Sequence, residues 1–207
     1  MNGSQNVEKK IIRRIRGRGR GCVFTAADFA DLGGASAIWT ALHRLTQDGV
    51  IRRLGQGLYD YPLTHDELGM LSPSPDSVAR ALAKSRGIRI QPSGAYAANL
   101  LGLSDQVPAR IVFLTDGASR KIRFNHQEIV LRRATPRHMR TAGRISGTVM
   151  QALRHLGKSR IADSHIRTLR KRLSESEKKQ VMKDRFLAPG WMRPWLEEIG
   201  REEGSNV

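Results

Sequence analysis

One short stretch of the chain combines side chains that could hydrogen-bond to nucleic acid. Between residues 36 and 48, helical spacing of about 100° per residue places Ile38, Leu42 and Leu45 on one apolar face. The opposite face is polar, partly cationic and lacks any carboxylate. Its members are Ser36, Thr40, His43, Arg44 and Gln47. A recognition helix presents such groups to base edges and phosphates, so this stretch predicts binding to duplex DNA.

A glycine-tipped hairpin is predicted directly after this helix. Segments 50–54 and 58–61 are extended in pattern and flank the Gly-Gln-Gly sequence at 55–57, which is typical of a β-hairpin. Pro62 ends the second strand because it has no N–H group for a ladder. Beside a recognition helix such a hairpin would be a wing, touching phosphates or a minor groove. Its candidate contacts are Arg52, Arg53 and Gln56.

The preceding residues complete a winged helix-turn-helix. A first helix is predicted over residues 25–32, where the Thr25 hydroxyl can cap free backbone N–H groups. The glycine pair at 33–34 suits a tight turn, since glycine reaches positive φ without steric cost. A leading helix over 7–15 and a short strand over 21–24, paired with the wing, are also predicted. The alternative is an ordinary small α+β hairpin domain whose polar helix face is only solvated. The order of the elements favours DNA binding.

Composition restricts the partners. The 207 residues include 36 Lys/Arg against 19 Asp/Glu, a formal net charge of +17, which favours nucleic acid, an acidic protein or an anionic membrane as partner. No apolar run approaches the roughly 20 residues that span a bilayer, and the first residues lack the apolar core of a secretory signal. We therefore expect a cytoplasmic protein with no membrane partner. The single cysteine, Cys22, excludes an internal disulfide and a cysteine-built zinc site.

The positive charge is concentrated away from the predicted DNA reader. Residues 118–172 hold fifteen Lys/Arg against only Glu128 and Asp163. Two strands in this stretch, 121–124 and 129–132, alternate apolar and basic residues around a turn at 125–128, which predicts one core face and one cationic face. Candidate phosphate or partner contacts are Arg18 and Arg20 in the glycine-rich loop, and Arg120, Lys121, Arg123, Arg132 and Arg133.

The overall prediction is an α+β protein with two domains. The winged helix-turn-helix takes residues 1–65, and a mixed α/β domain with a C-terminal helical segment takes 66–207. The boundary is set where composition shifts to small polar residues, at 63–75. In the second domain a further strand is predicted at 110–115. Helices are predicted at 145–156, 161–173, from 174, and at 191–199.

Catalytic and metal-binding patterns are missing from the sequence. The six histidines show no paired ligand spacing, which favours scattered surface groups over metal ligands. No pair of carboxylates stands in an apolar setting, and no phosphate-loop lysine follows the glycines at 17–21. We therefore expect neither an enzyme nor a cofactor or metal.

Two segments together resemble a known family. GVIRRLGQGLYDYP and PSGAYAANLLGLSDQVPARIVFLTDG are similar to the AbiEi-like antitoxins of bacterial type IV toxin–antitoxin systems, in particular to a compact subgroup, over most of residues 7–157. The resemblance implies a winged helix that binds operator DNA and represses its own operon. It also implies a C-terminal domain that counteracts a nucleotidyltransferase-like toxin, with no catalytic residues. By the matching winged motif, the resemblance implies that the DNA contacts are Ser36, Thr40, Arg44, Arg52, Arg53 and Gln56.

Other interpretations stay open at this point. The basic stretch 118–172 is also compatible with an RNA-associated binding module. Monomer and dimer are both possible, and neither the operator nor direct binding of the toxin follows from the residues.

Overall fold

A computed structural model of the protein describes residues 3–124 and 127–201. Helices and strands alternate in the first part and helices dominate the end, which confirms the α+β class. The chain forms two units, residues 1–88 and 89–207. Within the described ranges, every helix falls short of the length and apolarity that crossing a bilayer requires.

The first unit begins with the winged helix-turn-helix. Its elements are α1 (Gly3–Arg18), β1 (Val23–Thr25), a 3₁₀ helix (Ala26–Phe29), α2 (Ala35–Gln47), β2 (Arg52–Gly55) and β3 (Leu58–Asp60). The strands form an antiparallel sheet in the order β1-β3-β2. Phe24 of β1 lies opposite Tyr59 of β3, so the strand predicted beside the wing is confirmed.

The first helix of the motif is shorter than predicted. Helical geometry ends at Phe29, and residues 30–34 form turns. At the start of this helix the Thr25 N–H donates to the Asp28 carboxylate at 2.9 Å, the reciprocal bond of a capping box. Gly33 lies close against α1, where an added Cβ would approach Val7 Cγ2 to 2.8 Å. The turn is therefore set by close packing against α1, which local propensity does not encode.

One apolar core holds this unit together. α1 contributes Ile11 and Ile15, which are almost fully buried against Leu42 and Leu45 of α2. Phe24 packs edge-on against Phe29 with ring centroids 5.4 Å apart. The apolar stripe that predicted α1 and the core face of α2 thus meet in space, and they fix the direction of the opposite, exposed face of α2.

The first unit extends beyond the boundary predicted at residues 65/66. Short strands β4 (Thr64–His65) and β5 (Gly69–Met70) form a separate ribbon, and α3 (Pro75–Ser85) follows. α3 packs on β1, and Lys84 near its end pairs with Asp28 at 2.7 Å. This long-range packing joins residues 66–88 to the first unit, although the composition changes before them.

The second unit contains a four-stranded mixed sheet. Its first elements are β6 (Ile90–Pro92), α4 (Gly94–Leu100), β7 (Arg110–Thr115), β8 (Arg120–Phe124) and β9 (Gln127–Arg133), with strand order β6-β7-β9-β8. β8 and β9 form the predicted antiparallel hairpin, and β7 runs parallel to β9. Glu128, predicted in the turn, lies in β9, where it faces Arg110 and Arg123 on the neighbouring strands. Asn125 and His126 lie outside the described residues.

Helices complete this unit. They are α5 (Ile145–Leu156), α6 (Asp163–Arg172), α7 (Glu175–Asp184) and α8 (Arg193–Gly200). Together with α4 they enclose a second apolar core, which includes Leu153, Leu169 and Leu196. The buried Asp184 accepts hydrogen bonds from Arg144 at 2.9 Å and Ser146 at 2.5 Å, which ties the start of α5 to α7.

Candidate nucleic-acid interface

The exposed face of α2 contains all five residues predicted for it. Ile38, Ala41, Leu42 and Leu45 are buried and anchor the helix. Since the remaining positions turn away from this core, five polar side chains share the solvent-facing side. They are Ser36, Thr40, His43, Arg44 and Gln47, and all are exposed. The face is thus convex, polar and free of covering structure from its own unit.

Most of these side chains keep hydrogen-bonding capacity for a ligand. The Thr40 hydroxyl donates to the Ser36 carbonyl one turn back at 2.9 Å, which leaves its oxygen able to accept. In the part of the chain that the structure describes, the side chains of Ser36, His43 and Gln47 form no hydrogen bond. The face can therefore both donate and accept, as reading base edges requires.

The polar face of α2 has no carboxylate of its own, as expected, but one from α1 stands beside it. Glu8 of α1 lies 3.9 Å from the Arg44 guanidinium, whose side chain is 50% exposed. Such a long, exposed pair contributes little free energy. Sequence separation hid it, because α1 and α2 become neighbours only through their buried faces. Arg44 is loosely held and remains accessible.

The wing tip lies next to α2. Arg53 and Gln56 are exposed on the hairpin, and Arg53 Nε donates to the Gly55 carbonyl at 3.3 Å. Gly57 has φ of 70°, a left-handed conformation that suits glycine at the turn. A Cβ built on Gly57 would lie 3.9 Å from the Trp39 ring, so α2 and the wing tip are in contact range. Helix and wing form one continuous surface.

Arg52 does not belong to this surface. Its guanidinium donates two hydrogen bonds to the buried Asp60 carboxylate, at 2.6 and 3.1 Å, and a third to the Leu71 carbonyl. Because Asp60 is 1% exposed, it needs this partner inside the unit. The prediction of Arg52 as a wing contact is corrected to a structural role. Strand alternation places Arg52 and Arg53 on opposite faces of β2, and Arg53 takes the exposed one.

The two arginines predicted in the glycine-rich loop are also held within the unit, although Arg18 is the last residue of α1. Arg18 pairs with Asp28 at 3.3 Å and lies over the Phe29 ring. Arg20 donates to the Pro62 carbonyl at 3.0 Å and lies 4.8 Å from the centroid of the Tyr61 ring. These contacts hold both guanidinium groups against their own unit, so the two side chains are less available to bind phosphate.

Sequence reasoning missed Trp39. Its side chain is 48% exposed and borders a shallow apolar groove formed with Ala26, Ala30 and Gly33. A signal existed: Trp39 follows the core residue Ile38 and so lies about 100° away from the buried face. It adds a large apolar contact between the polar row and the wing.

The predicted cationic surface of the second unit is real but divided. All five of its basic residues are exposed. Alternation along β8 and β9 places Lys121, Arg123 and Arg132 on one side, opposite the buried Ile129 and Leu131. Arg110 of β7 joins them and pairs with Glu128 at 3.4 Å. We call Arg110, Lys121, Arg123 and Arg132 the basic sheet face.

Arg120 and Arg133 do not belong to the basic sheet face. Arg120 lies opposite Leu131, and Arg133 is two residues after it, so both follow the core-side register at the strand ends. The five basic residues therefore do not act as a single patch.

Among residues 3–124 and 127–201, no three His, Cys, Asp or Glu side chains stand close enough to hold a metal ion. The Cys22 thiol is half-buried, and burial raises its pKa.

Comparison with known proteins gives a matching sequence family and a distantly similar structure. The model of the DUF6088 family, described as a family of unknown function, matches residues 10–181. No curated protein matches the sequence. The crystal structure of the RV2827C protein from Mycobacterium tuberculosis superimposes with a TM-score of 0.40 at 16% identity, covering 97% of this chain and 83% of that one. Likeness at that level carries no functional conclusion.

Proposed function

We propose, for a chain that belongs to the DUF6088 family of unknown function, the role of a cytoplasmic DNA-binding autorepressor and antitoxin. The carrying observation is the exposed polar row of α2 in contact range of an exposed wing tip. A convex helix with free donors and acceptors, flanked by a basic hairpin, matches the shape and chemistry of a major groove and its phosphates.

Each side chain has a distinct role in this proposal. α2 lies in the major groove, where Ser36, Thr40 and Arg44 face base edges and His43 and Gln47 reach bases or backbone. Arginine forms a bidentate contact with guanine more often than any other specific pair. Arg53 and Gln56 on the wing meet phosphates or the adjacent minor groove. Contacts to phosphate position the protein, and contacts to bases give its specificity.

The test is a titration of the protein with the duplex upstream of its own gene, against a scrambled duplex. Arg44→Ala is expected to weaken operator binding by about 1–3 kcal/mol and to reduce discrimination between the duplexes. Arg86→Ala is the matched control, because it removes one exposed positive charge of the same unit from the end of α3, an element outside α2 and the wing. Equal loss on both duplexes would make Arg44 a phosphate contact. Wild-type binding without preference would end the repressor proposal.

The antitoxin part of the proposal rests on the resemblance of residues 7–157 and on the basic sheet face. The partner would be a nucleotidyltransferase-like toxin encoded beside it. Replacement of Lys121, Arg123 and Arg132 by glutamate should abolish protection when both proteins are co-expressed, if this face acts against the toxin. Arg140→Glu, an exposed reversal outside that face, serves as control. Retained protection in the triple variant would remove the basic sheet face from antitoxicity.

A second candidate is an RNA-associated module. The observation in its favour is that the basic sheet face carries four cations with one carboxylate, Glu128, and sits apart in sequence from the winged motif. Competition between a structured RNA and the operator duplex separates the two proposals. An RNA module prefers the RNA and loses affinity in the triple variant, whereas a repressor prefers the duplex and depends on Arg44.

A further inference from the structure

A cavity of about 230 Å³ lies in the second unit, apart from the surfaces described above. Three pieces of chain form it: the turns at 135–143, helix α5 and the segment at 187–189. Its polar lining consists of Arg137, His138, Thr141, Gln151 and Arg154. Met150 and Leu187 add an apolar wall.

Local structure holds this cavity in shape. Met150, Gln151 and Arg154 are spaced at i, i+1 and i+4 along α5, so they project toward one side of the helix. The turn segment opposite is anchored by Met139, which is fully buried and whose N–H donates to the Thr135 carbonyl at 3.2 Å. The lining thus belongs to ordered backbone on both sides.

The cavity concentrates positive charge without neutralising it. Among the described residues, neither Arg137 nor Arg154 forms an ion pair. Two causes lower the pKa of Arg154: its burial is the larger, and the nearby positive charge of Arg137 is the smaller. Burial, with Arg154 and Arg137, also lowers the pKa of His138. Arg154 is half-buried, whereas Arg137 and His138 lie at the exposed mouth of the cavity. Like charges placed together disfavour one another, and an anion between them removes that cost.

Two polar side chains in the lining are left without a hydrogen bond in the part of the chain that the structure describes. Thr141 is 6% exposed and Gln151 is 7% exposed. Within residues 3–124 and 127–201, neither the Thr141 hydroxyl nor the Gln151 amide forms a hydrogen bond. Neither polar group is among the side-chain atoms sealed from solvent without a partner, so both are open to the cavity and can bond to a ligand that supplies acceptors.

We propose that this cavity, the Arg137–Arg154 pocket, is a binding site for a phosphate group. The two guanidinium groups donate to phosphate oxygens in the bidentate geometry that arginine favours, and Thr141 and Gln151 complete the set of donors. The apolar wall of Met150 and Leu187 faces whatever carries the phosphate. The site is independent of α2 and the wing, and it stands whether or not the chain binds DNA.

Calorimetric titration of the full-length protein with inorganic phosphate, at constant ionic strength, tests this site. Saturable binding is expected, and Arg154→Gln should weaken it at least about tenfold, the effect of losing one charge-assisted hydrogen bond. Arg140→Gln is the matched control, because it is exposed in the same turn segment and does not line the cavity. Absence of saturable binding in the wild type, or equal loss in both variants, would overturn the proposal.

A readout in the wild-type protein guards against variants that fail to fold. Bound phosphate should raise the pKa of His138, which is followed by the ring C–H resonance in a proton NMR titration. An unchanged His138 titration at saturating phosphate would count against the site. A nucleoside monophosphate provides a second arm: tighter binding than inorganic phosphate identifies a nucleotide as ligand, and equal binding identifies recognition of the phosphate group alone. Both results require the same Arg154 dependence.

Discussion

At the scale of single residues, Asp28 joins more of the first unit than its position in a single turn of 3₁₀ helix indicates. Its side chain is 5% exposed and accepts from the Thr25 N–H, from Lys84 at 2.7 Å and from Arg18 at 3.3 Å. Burial acts to raise its pKa, but the hydrogen bonds from Lys84 and Thr25 outweigh burial and lower it. A carboxylate stabilised in this way ties three separate elements to the helix-turn-helix.

Asp28→Asn should reduce the free energy of unfolding by about 1–3 kcal/mol, since it weakens charged hydrogen bonds at a buried site. Asp31→Asn is the matched control. Asp31 also pairs with an arginine, Arg14, at 2.6 Å, but its side chain is 64% exposed. Its loss should reduce stability much less than the loss of Asp28, because exposed ion pairs contribute little. Urea unfolding of both variants decides; equal effects would contradict the assigned role of Asp28.

Asp31 also makes a prediction about pH. The Arg14 hydrogen bond lowers its pKa from 3.8 to about 2. Because the folded carboxyl binds a proton less readily than the unfolded one, its contribution is fully present above about pH 4 and is lost as the pH falls towards 2. The stability difference between wild type and Asp31→Asn should therefore shrink across that interval. A stability difference that is constant from pH 5 to pH 2 would show that pairing with Arg14 does not lower the pKa of the Asp31 carboxyl.

At the scale of elements, two glycines within helices differ in their reason for being glycine: one is required by close packing, and the other only lowers helix propensity. Gly147 lies in the first turn of α5, where an added Cβ would meet the Thr141 carbonyl oxygen at 2.5 Å and the Gln91 side chain. Gly17 lies near the end of α1, with nothing within 4 Å of an added Cβ. Both are helical, but only Gly147 allows another segment to approach.

Gly147→Ala should destabilise the protein by at least about 1–3 kcal/mol, because a backbone carbonyl cannot move aside as a flexible side chain can. Gly17→Ala should instead be neutral or stabilising by up to about 1 kcal/mol, since alanine is the better helix former. Thermal unfolding of the two variants measures the contrast. Stabilisation by Gly147→Ala would mean that the turn before α5 is not packed against it.

At the scale of the whole molecule, each of the two units has its own core, and the two units differ in net charge. The first unit has its core around Ile11, Phe24 and Leu42, and the second around Leu153, Leu169 and Leu196. Most of the excess positive charge lies in the second unit, whereas the row proposed to read DNA lies in the first. Non-specific attraction to polyanions and selective reading are thus expected from different units.

A fragment of residues 1–88 should fold alone and keep the preference for operator over scrambled duplex. Its affinity should depend less steeply on salt than that of the full chain, because it presents fewer cations to phosphates. Circular dichroism and binding at several salt concentrations measure both properties. The fragment 89–207, with the Arg137–Arg154 pocket, should show no preference between the duplexes. A selective 89–207 fragment would show that the surface that reads DNA lies in the second unit, against the proposal.

Much of this was readable in the sequence because it depends on neighbours along the chain. Periodicity placed α1, α2, α5 and the hairpins, since burial of one face imposes a repeat of 3.6 or 2 residues. For the same reason the polar row of α2 and the alternation of β8 and β9 were predicted correctly from residue order. The end of the first helix and the limit at Ile88 were not, because both depend on packing between segments far apart in sequence.

The residues alone determined the α+β class, the winged motif and which positions of α2 face solvent. Tertiary structure decided which basic side chains are free: Arg52, Arg18 and Arg20 are held by partners within the unit, while Arg53 and the row on α2 are exposed. It also created the Arg137–Arg154 pocket from residues with no shared motif. A charge's availability depends on which carboxylates, carbonyls and rings the fold brings beside it, and those distances are set by packing, not by spacing along the chain.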